Sequence, residues 1–121
     1  MDKKTLGNYG EEKAVRYLRR KGYRVVDRNF RCRQGEIDII AEKSGYIVFV
    51  EVKLRKNADF ACAREFVDAA KQRRIVAAAQ LWLSKLDCDL QPRFDVVEVY
   101  APAGEKTLFP KINHIEDAFW P

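Results

Sequence analysis

The stretch GEIDIIAEKSGYIVFVEVKLRK at residues 35–56 is the feature that most constrains what this chain can fold into. Two runs rich in Ile, Val and Phe are typical of buried strands, yet Asp38 interrupts the first, and Glu51 and Lys53 interrupt the second. Burying a charged side chain costs free energy unless another group compensates it. The positions of these three residues therefore require an explanation beyond packing.

The two runs predict a β-hairpin, with strands at residues 36–41 and 46–54 and a turn at residues 44–45. Side chains alternate between the two faces of a strand, so the register decides which residues meet. With a tight turn at this position, Asp38 lies directly opposite Glu51 on the same face of the sheet. A register shifted by one residue would place Asp38 on the other face.

Two carboxylates at directly paired positions repel each other. Their Cβ atoms lie roughly 5 Å apart, and at an effective dielectric near 20 the repulsion is on the order of 3 kcal/mol. A divalent cation between Asp38 and Glu51 would compensate it, and oxygen ligands suit Mg²⁺ or Mn²⁺. Lys53, opposite Glu36, could then orient or deprotonate a water, or contact a phosphate. A surface salt bridge from Lys53 to either glutamate is the alternative interpretation.

Two predicted helices each place one charged side chain on an apolar stripe. In the first helix, predicted over residues 5–21, Glu11 lies on that stripe and could reach the hairpin acids. A helix-start glutamate favoured by the helix dipole is the alternative. In the second helix, predicted from the N-cap Asp68 to about Leu86, Lys71 could point at the site or at a phosphate. The alternative is a lysine that extends along apolar surface to solvent.

The order of elements indicates the fold class. One further strand is predicted at residues 23–29 and another at residues 93–100, and the final stretch INHIEDAFWP favours a short apolar-faced helix or a packed tail. The order helix, strand, strand, strand, helix, strand predicts an α/β fold, with a mixed sheet and helices packed against it. The length of 121 residues fits a single domain over residues 1–121.

Positive charge is concentrated near the N-terminus. The chain carries +5 overall, but residues 13–33 hold nine Lys and Arg residues against the single acid Asp27, so this segment carries +8 and the remainder −3. Concentrated positive charge favours a polyanion partner, most often nucleic acid, and a solvated surface is the alternative. The predicted nucleic-acid contacts are Arg16, Arg19, Arg20, Arg28, Arg31, Arg33, Arg55, Lys71 and Arg74.

Several classes of protein are disfavoured. The cysteines Cys32, Cys62 and Cys88 are widely spaced and form no CxxC pair, which argues against a zinc site and a disulfide framework. The single His114 cannot build a histidine metal site by itself. No apolar run approaches the ~20 residues of a membrane span. The N-terminus MDKKTLGNYG lacks the apolar core of a signal peptide, so we expect a cytoplasmic protein without a membrane partner.

The motifs together resemble a known superfamily. Asp38 on one strand and Glu51-Val52-Lys53 on the next, after an N-terminal helix, are similar to the signature of the PD-(D/E)XK restriction-endonuclease-like nucleases. Over residues 7–119 the chain resembles the YraN family of small bacterial proteins, which is itself similar to archaeal Holliday-junction resolvases. The motifs that carry this resemblance are GNYGEEKAVRYLRRKGYRVVDRNFR, GEIDIIA, VFVEVKLR, KQRRIVAAAQLWL, RFDVVEVY and HIEDAF.

The resemblance implies a restriction-endonuclease-like fold and specific roles in the site. It assigns metal binding to Asp38, Glu51, the Val52 carbonyl and Glu11, and it assigns catalytic roles to these three acids and to Lys53. Many members of the superfamily carry an extra polar residue on the second core helix, which corresponds here to Lys71 and Gln72. The proline of the superfamily's name is replaced by Ile37.

The resemblance also implies a reaction. It predicts a Mg²⁺- or Mn²⁺-dependent endonuclease that hydrolyses phosphodiester bonds of DNA, and a homodimer, because two cuts need two sites. No motif reads bases, so we expect selectivity for junctions, flaps or ends rather than for sequence. One alternative is a noncatalytic nucleic-acid-binding module with a nuclease-like fold, which would gain nothing from paired acids. Another is a basic-faced protein-interaction domain with an incidental salt bridge in its hairpin.

Overall fold

The helices and strands follow one another along the chain in the order α1-β1-β2-β3-α2-β4-β5. The structure, a computed structural model, describes residues 3–56, 67–87 and 89–120. The elements are α1 Lys3–Arg20, β1 Arg24–Arg31, β2 Glu36–Lys43, β3 Tyr46–Arg55, α2 Ala69–Ser84, β4 Gln91–Tyr100 and β5 Lys111–Ile115, with a 3-10 turn Gly104–Lys106 before β5. This order confirms the predicted α/β class and is compatible with a nuclease-like fold. Of the three cysteines, Cys62 and Cys88 lie outside the described residues.

The described strands form one mixed sheet in the order β1-β2-β3-β4-β5. The pair β3 and β4 is parallel, whereas the other three pairs are antiparallel. A parallel pair requires a crossover, and α2 lies in the connection between these two strands. The three inner strands β2, β3 and β4 are therefore paired on both edges, which gives the hairpin acids a rigid support.

The sheet separates two apolar clusters, one under each helix. On one face, Leu18 of α1 packs in a cluster with Val48 of β3. On the other face, Ile75 of α2 packs in a cluster with Phe49 and Phe94. Neighbouring residues of β3 therefore point to opposite faces, as the alternation of strand side chains predicts. Within the described residues, neither helix is long and apolar enough to cross a membrane.

The turn between β2 and β3 confirms the predicted hairpin. Ser44 and Gly45 have φ angles of 51° and 86°. Positive φ at both central residues is the requirement of a two-residue hairpin turn of type I′. Pairs such as Ile40 with Phe49 then have the predicted register. The predicted N-cap of α2 is also confirmed, because Asp68 Oδ1 accepts a hydrogen bond from the Lys71 N–H at 2.8 Å.

The C-terminal segment corrects one prediction. Residues Lys111–Ile115 form the edge strand β5, antiparallel to β4, rather than a short helix. Without β5, one edge of β4 would lack hydrogen-bond partners, and a buried strand requires them. The residues that follow are a packed tail, as predicted in part. Phe119 is buried, and its ring stacks on that of Phe94 at 5.3 Å between centroids.

Candidate active site

The regular hairpin ends where the predicted site begins. The register pairs between β2 and β3 extend as far as Ile39 with Val50. Ile37 packs in the cluster under α2 and Ile39 in the cluster under α1, although residues two apart in a regular strand share a face. The alternation of β2 therefore breaks between Ile37 and Ile39, at Asp38, and the predicted pairing of Asp38 with Glu51 lies beyond the last regular pair.

The neighbouring strand β1 is irregular at the matching position. Arg28 pairs with Ile39 and Phe30 pairs with Ile37, and Asn29 between them has a φ of 53°. Asparagine tolerates this left-handed conformation better than most residues. The Asn29 side chain forms a hydrogen bond with Glu11 of α1. The break in both strands therefore lies under the α1 carboxylate.

A half-buried acid, Asp38, and a buried one, Glu51, form a pair at this break. Asp38 Oδ2 accepts a hydrogen bond from the Val52 N–H at 2.8 Å, and Glu51 is only 5% exposed. Burial, followed by the negative charge of Glu51, raises the pKa of Asp38 to about 7, although the Val52 hydrogen bond opposes the rise. The unfavourable interaction between the two acids is therefore present in the fold even though they are not a regular strand pair.

Two lysines converge on Glu51. Lys71 Nζ lies 2.6 Å and Lys53 Nζ 3.7 Å from Glu51 Oε1. Burial and the charge of Lys71 lower the pKa of Lys53. Burial, the largest single effect, disfavours the charged form of Lys71, but the hydrogen bond and charge of Glu51, with the charge of Asp38, together outweigh it and raise the pKa of Lys71. The structure thus directs Lys71 to the site and not along the surface to solvent, and Glu36 instead pairs with Arg31 at 3.2 Å.

Glu11 reaches the same region from α1. The helix begins at Lys3, so Glu11 lies two turns inside it, and the helix-start interpretation is wrong. Its Oε1 atom is buried without a hydrogen-bond partner, and Arg28 Nη2 lies 3.8 Å away. Burial raises the pKa of Glu11, while the Asn29 hydrogen bond and the charge of Arg28 lower it. A buried oxygen without a hydrogen-bond partner is rare in folded proteins and requires an explanation, such as a ligand that the residues of the site would bind.

The donor set fits a hard cation. In the described part of the chain, no three acidic, histidine or cysteine side chains lie close enough to form a ready-made metal site. Mg²⁺ needs only one or two carboxylates and keeps several of its waters, so such a cluster is not a requirement. Asp38, Glu51 and the Val52 carbonyl could supply oxygen donors, and Glu11 Oε1, which accepts no hydrogen bond, could supply a further one.

Some of the basic residues form ion pairs with acids of the fold, and others do not. Arg24 pairs with Glu42 at 2.6 Å, Arg28 with Glu12 at 2.9 Å and Arg31 with Glu36 at 3.2 Å. These acids lie outside residues 13–33. They neutralise part of the positive charge of this segment, so the net charge around it in the fold is below the +8 of its own residues. Arg55 pairs with Glu98 at 3.3 Å and Lys71 pairs with Glu51. Arg31 is exposed as well as paired, and the predicted contacts that are exposed and lie outside these ion pairs are Arg16, Arg19, Arg20, Arg33 and Arg74.

A second charged cluster, under α1, was not predicted from the sequence. Asp95 is fully buried in β4, and its carboxylate accepts hydrogen bonds from Arg93 at 2.9 and 2.8 Å. His114 Nε2 lies 2.6 Å from Asp95 Oδ2, and Tyr17 Oη lies 3.1 Å from His114 Nδ1. The signal was an acid inside the apolar run RFDVVEVY, the same signal that identified Asp38 and Glu51. This network ties β4 and β5 to α1.

We expect Asp38→Asn to raise the melting temperature of the metal-free protein. The folded state raises the pKa of Asp38 from 3.8 to about 7, so the wild type loses stability as the pH rises between these values. Asparagine carries no charge and can still accept from the Val52 N–H. The gain should therefore be larger above pH 7 than two units below it, measured by thermal denaturation in EDTA. A lower melting temperature would mean that protein groups fully satisfy the carboxylate.

Known sequences similar to this chain are found in bacteria. The UPF0102 protein of Caldanaerobacter subterraneus subsp. tengcongensis is 46% identical over 120 residues, which cover 98% of each chain. The relative from Caldicellulosiruptor saccharolyticus is 44% identical, over 98% of this chain and 100% of its own. The relative from Geotalea daltonii is 45% identical, over 98% and 91%. The similarity therefore extends over nearly the whole chain.

A sequence model of the uncharacterised protein family UPF0102 matches residues 10–99. This span includes Glu11, both hairpin acids and the α2 lysine. The names of the relatives state the family and no reaction. The chain belongs to the UPF0102 family, which is the YraN family that its motifs predicted.

Proposed function

We propose that this protein is a metal-dependent endonuclease that hydrolyses phosphodiester bonds of DNA in the cytoplasm. The observation that supports the proposal best is the convergence of Asp38, Glu51, Lys53 and Lys71 at one end of the sheet. Burying one carboxylate beside another destabilises a fold, so a purely structural site would gain nothing from it. Two acids with two lysines suit a reaction at a phosphate.

The acids are the proposed ligands of Mg²⁺ or Mn²⁺. Asp38, Glu51 and the Val52 carbonyl would hold the cation, and Glu11 would contribute from α1. A bound divalent cation lowers the pKa of a coordinated water and neutralises charge at phosphorus. A carboxylate ligand must be ionised. Because the pKa of Asp38 is about 7 in the metal-free protein, a cation that binds below neutral pH has to displace a proton from this carboxyl group.

The lysines divide two tasks. The lowered pKa of Lys53 means that a larger fraction of this amine is neutral near neutral pH than for an ordinary lysine, and only the neutral amine can accept a proton, so we assign it to orienting or activating the attacking water. The raised pKa of Lys71 keeps this group positively charged, so we assign it to contacting the phosphate. Both ammonium groups lie close to Glu51 Oε1, so the water and the phosphate would be held next to each other.

The proposed substrate is DNA of a particular structure rather than a particular sequence. The exposed residues Arg16, Arg19, Arg20, Arg33 and Arg74 would contact the phosphate backbone, so affinity should fall steeply with salt. Phosphate contacts position a protein on DNA but do not read its sequence. Junctions, flaps and ends are the expected substrates, and a homodimer would place one site on each of two strands.

Cleavage of labelled DNA tests the proposal. Purified protein is incubated with four-way junctions, flaps, single strands and plain duplex, in Mg²⁺, Mn²⁺ or EDTA. We expect metal-dependent cuts by the wild type and none by Asp38→Asn. Asp87→Asn is the matched control, because it removes an exposed acid beyond the end of α2 and should cleave like the wild type. Cuts that persist in Asp38→Asn would contradict the assignment of the site.

A noncatalytic nucleic-acid-binding module is the second candidate. The contact that favours it is Lys71 Nζ at 2.6 Å from Glu51 Oε1, because this ammonium group already gives Glu51 a partner of opposite charge. Such a module would bind branched DNA without cutting it. Equal binding by the wild type and Asp38→Asn, with no cuts in any metal, would favour this candidate.

A further inference from the structure

An exposed apolar loop lies outside the candidate active site. Phe109 is 91% exposed and its neighbour Leu108 is 75% exposed, in the loop between the 3-10 turn and β5. Scattered exposed apolar residues are normal, but two adjacent large ones beside a hollow in the surface indicate a binding surface. Neither side chain belongs to either apolar cluster of the fold.

Positive charge surrounds this loop. The loop borders a hollow of about 430 Å³ that also has three cations of α1 on its wall. Within the described residues, Arg16 and Arg20 form no ion pair, in contrast to Arg28 and Arg31. The basic-aromatic surface is defined here as Lys13, Arg16, Arg20, Leu108 and Phe109.

The backbone of the loop is fixed to α1 while the two apolar side chains face outward. Tyr9 Oη donates a hydrogen bond to the Thr107 carbonyl at 2.7 Å, and Lys13 Nζ donates one to the Leu108 carbonyl at 3.5 Å. A loop held in this way loses little conformational freedom when it binds a ligand. Two acids, Glu105 and Glu12, line an adjoining hollow, and Glu12 is paired with Arg28.

The surface lies on the opposite side of α1 from the proposed catalytic acids. Glu11 faces β1, where it contacts Asn29 and Arg28. Arg16 and Arg20 face the loop before β5 instead. A ligand on the basic-aromatic surface therefore does not cover the side of α1 from which Glu11 reaches the candidate site.

We propose that the basic-aromatic surface binds a single-stranded segment of DNA. An unpaired base stacks on the Phe109 ring, and the flanking phosphates contact Arg16 and Arg20. Exposed aromatic rings beside cations are the usual means of binding single strands, because every base has a face that can stack. Bases of a duplex are already stacked and cannot reach the ring. The inference rests on the proposed function and narrows its substrates to duplexes that carry an unpaired strand, such as flaps.

Equilibrium binding in EDTA tests the surface without any cleavage. The probes are a labelled oligothymidine, the same strand with abasic positions, and a duplex of matching length. We expect Phe109→Ala to weaken oligothymidine binding at least about fivefold, because stacking on an aromatic side chain contributes that much or more per base. The wild type should discriminate against the abasic strand, and the variant should not.

Three variants make the test specific. Phe109→Trp should bind like the wild type, whereas Phe109→Leu should bind as weakly as Phe109→Ala, because leucine is apolar but has no ring to stack. Leu86→Ala is the control, since Leu86 is also apolar and 50% exposed but lies after α2. We expect it to leave binding unchanged. Melting temperatures should be equal for all of them.

Full oligothymidine binding by Phe109→Ala or Phe109→Leu would overturn the inference. Loss of a dimer in Phe109→Ala, measured by sedimentation with unchanged DNA binding, would assign the surface to a second copy of the chain and would also overturn it. Binding is read in EDTA and cleavage in Mg²⁺, so the two proposals fail separately. Base-dependent binding without cuts by the wild type would contradict the nuclease and support the surface.

Discussion

Lys53→Ala is expected to lower the rate of DNA cleavage by about 10²–10⁴-fold, the range for a positioned acid-base or electrostatic group. The ammonium group lies 3.7 Å from Glu51 Oε1, and its side chain is 26% exposed. Glu51 keeps its closer contact with Lys71 at 2.6 Å when Lys53 is removed. The loss should therefore appear in single-turnover cleavage rates and not in the melting temperature.

A second substitution separates the two tasks that Lys53 can perform. Lys53→Arg keeps the positive charge, but arginine does not release its proton in proteins. Substantial cleavage by Lys53→Arg would mean that the charge stabilises the phosphate, and a loss as large as that of Lys53→Ala would mean proton transfer or close placement of water. Lys85→Ala, an exposed lysine after α2, is the matched control. Wild-type cleavage by Lys53→Ala would refute the assigned role.

Asp95→Ala is expected to reduce the free energy of unfolding by about 3–5 kcal/mol, because it leaves buried partners without their charge. Asp95 is fully buried, and Arg93 and His114 lie 2.8 and 2.6 Å from its Oδ2. Burial favours the neutral acid, but hydrogen bonds from His114 and Arg93 hold the pKa of Asp95 below its ordinary value. Its stabilisation is therefore present above that ordinary value and is lost as the pH falls through the lowered one.

Urea denaturation at neutral pH measures this effect. Glu42→Ala is the control, because Glu42 pairs with Arg24, whose side chain is 71% exposed. Exposed pairs of this kind contribute at most about 1 kcal/mol. Equal losses in the two variants would show that the Asp95 network contributes no more than a surface ion pair.

Local rules predicted the part of the site that lies within one hairpin. The turn residues and the alternation of β3 determine the register, so spacing along the chain is enough to group Asp38, Glu51 and Lys53. The stripes of the two helices added Glu11 and Lys71, which the fold brings to the same region. Each of these inferences depends on the period of a single helix or strand.

Interactions between segments that are distant in sequence could not be predicted from the period of a single helix or strand. The break in alternation at Asp38 is matched in β1 at Asn29, which no local pattern indicates. The acids that neutralise Arg28 and Arg31 come from other elements. The C-terminal segment forms β5, which provides hydrogen-bond partners for the outer edge of β4. The periodicity of the segment itself does not predict this pairing. The position of Asp95 inside an apolar run was visible in the sequence. Its partner His114 lies on another strand, so the contact could not be predicted from the local pattern.

Calorimetric titration with Mn²⁺ tests most directly whether Asp38 and Glu51 bind the proposed catalytic metal. The wild type and the control Asp87→Asn should bind the cation and show a higher melting temperature in its presence. Asp38→Asn should lose both effects, because it removes a charged ligand while it keeps an acceptor for the Val52 N–H. Equal Mn²⁺ binding by Asp38→Asn and the wild type would place the metal elsewhere and contradict the proposed active site.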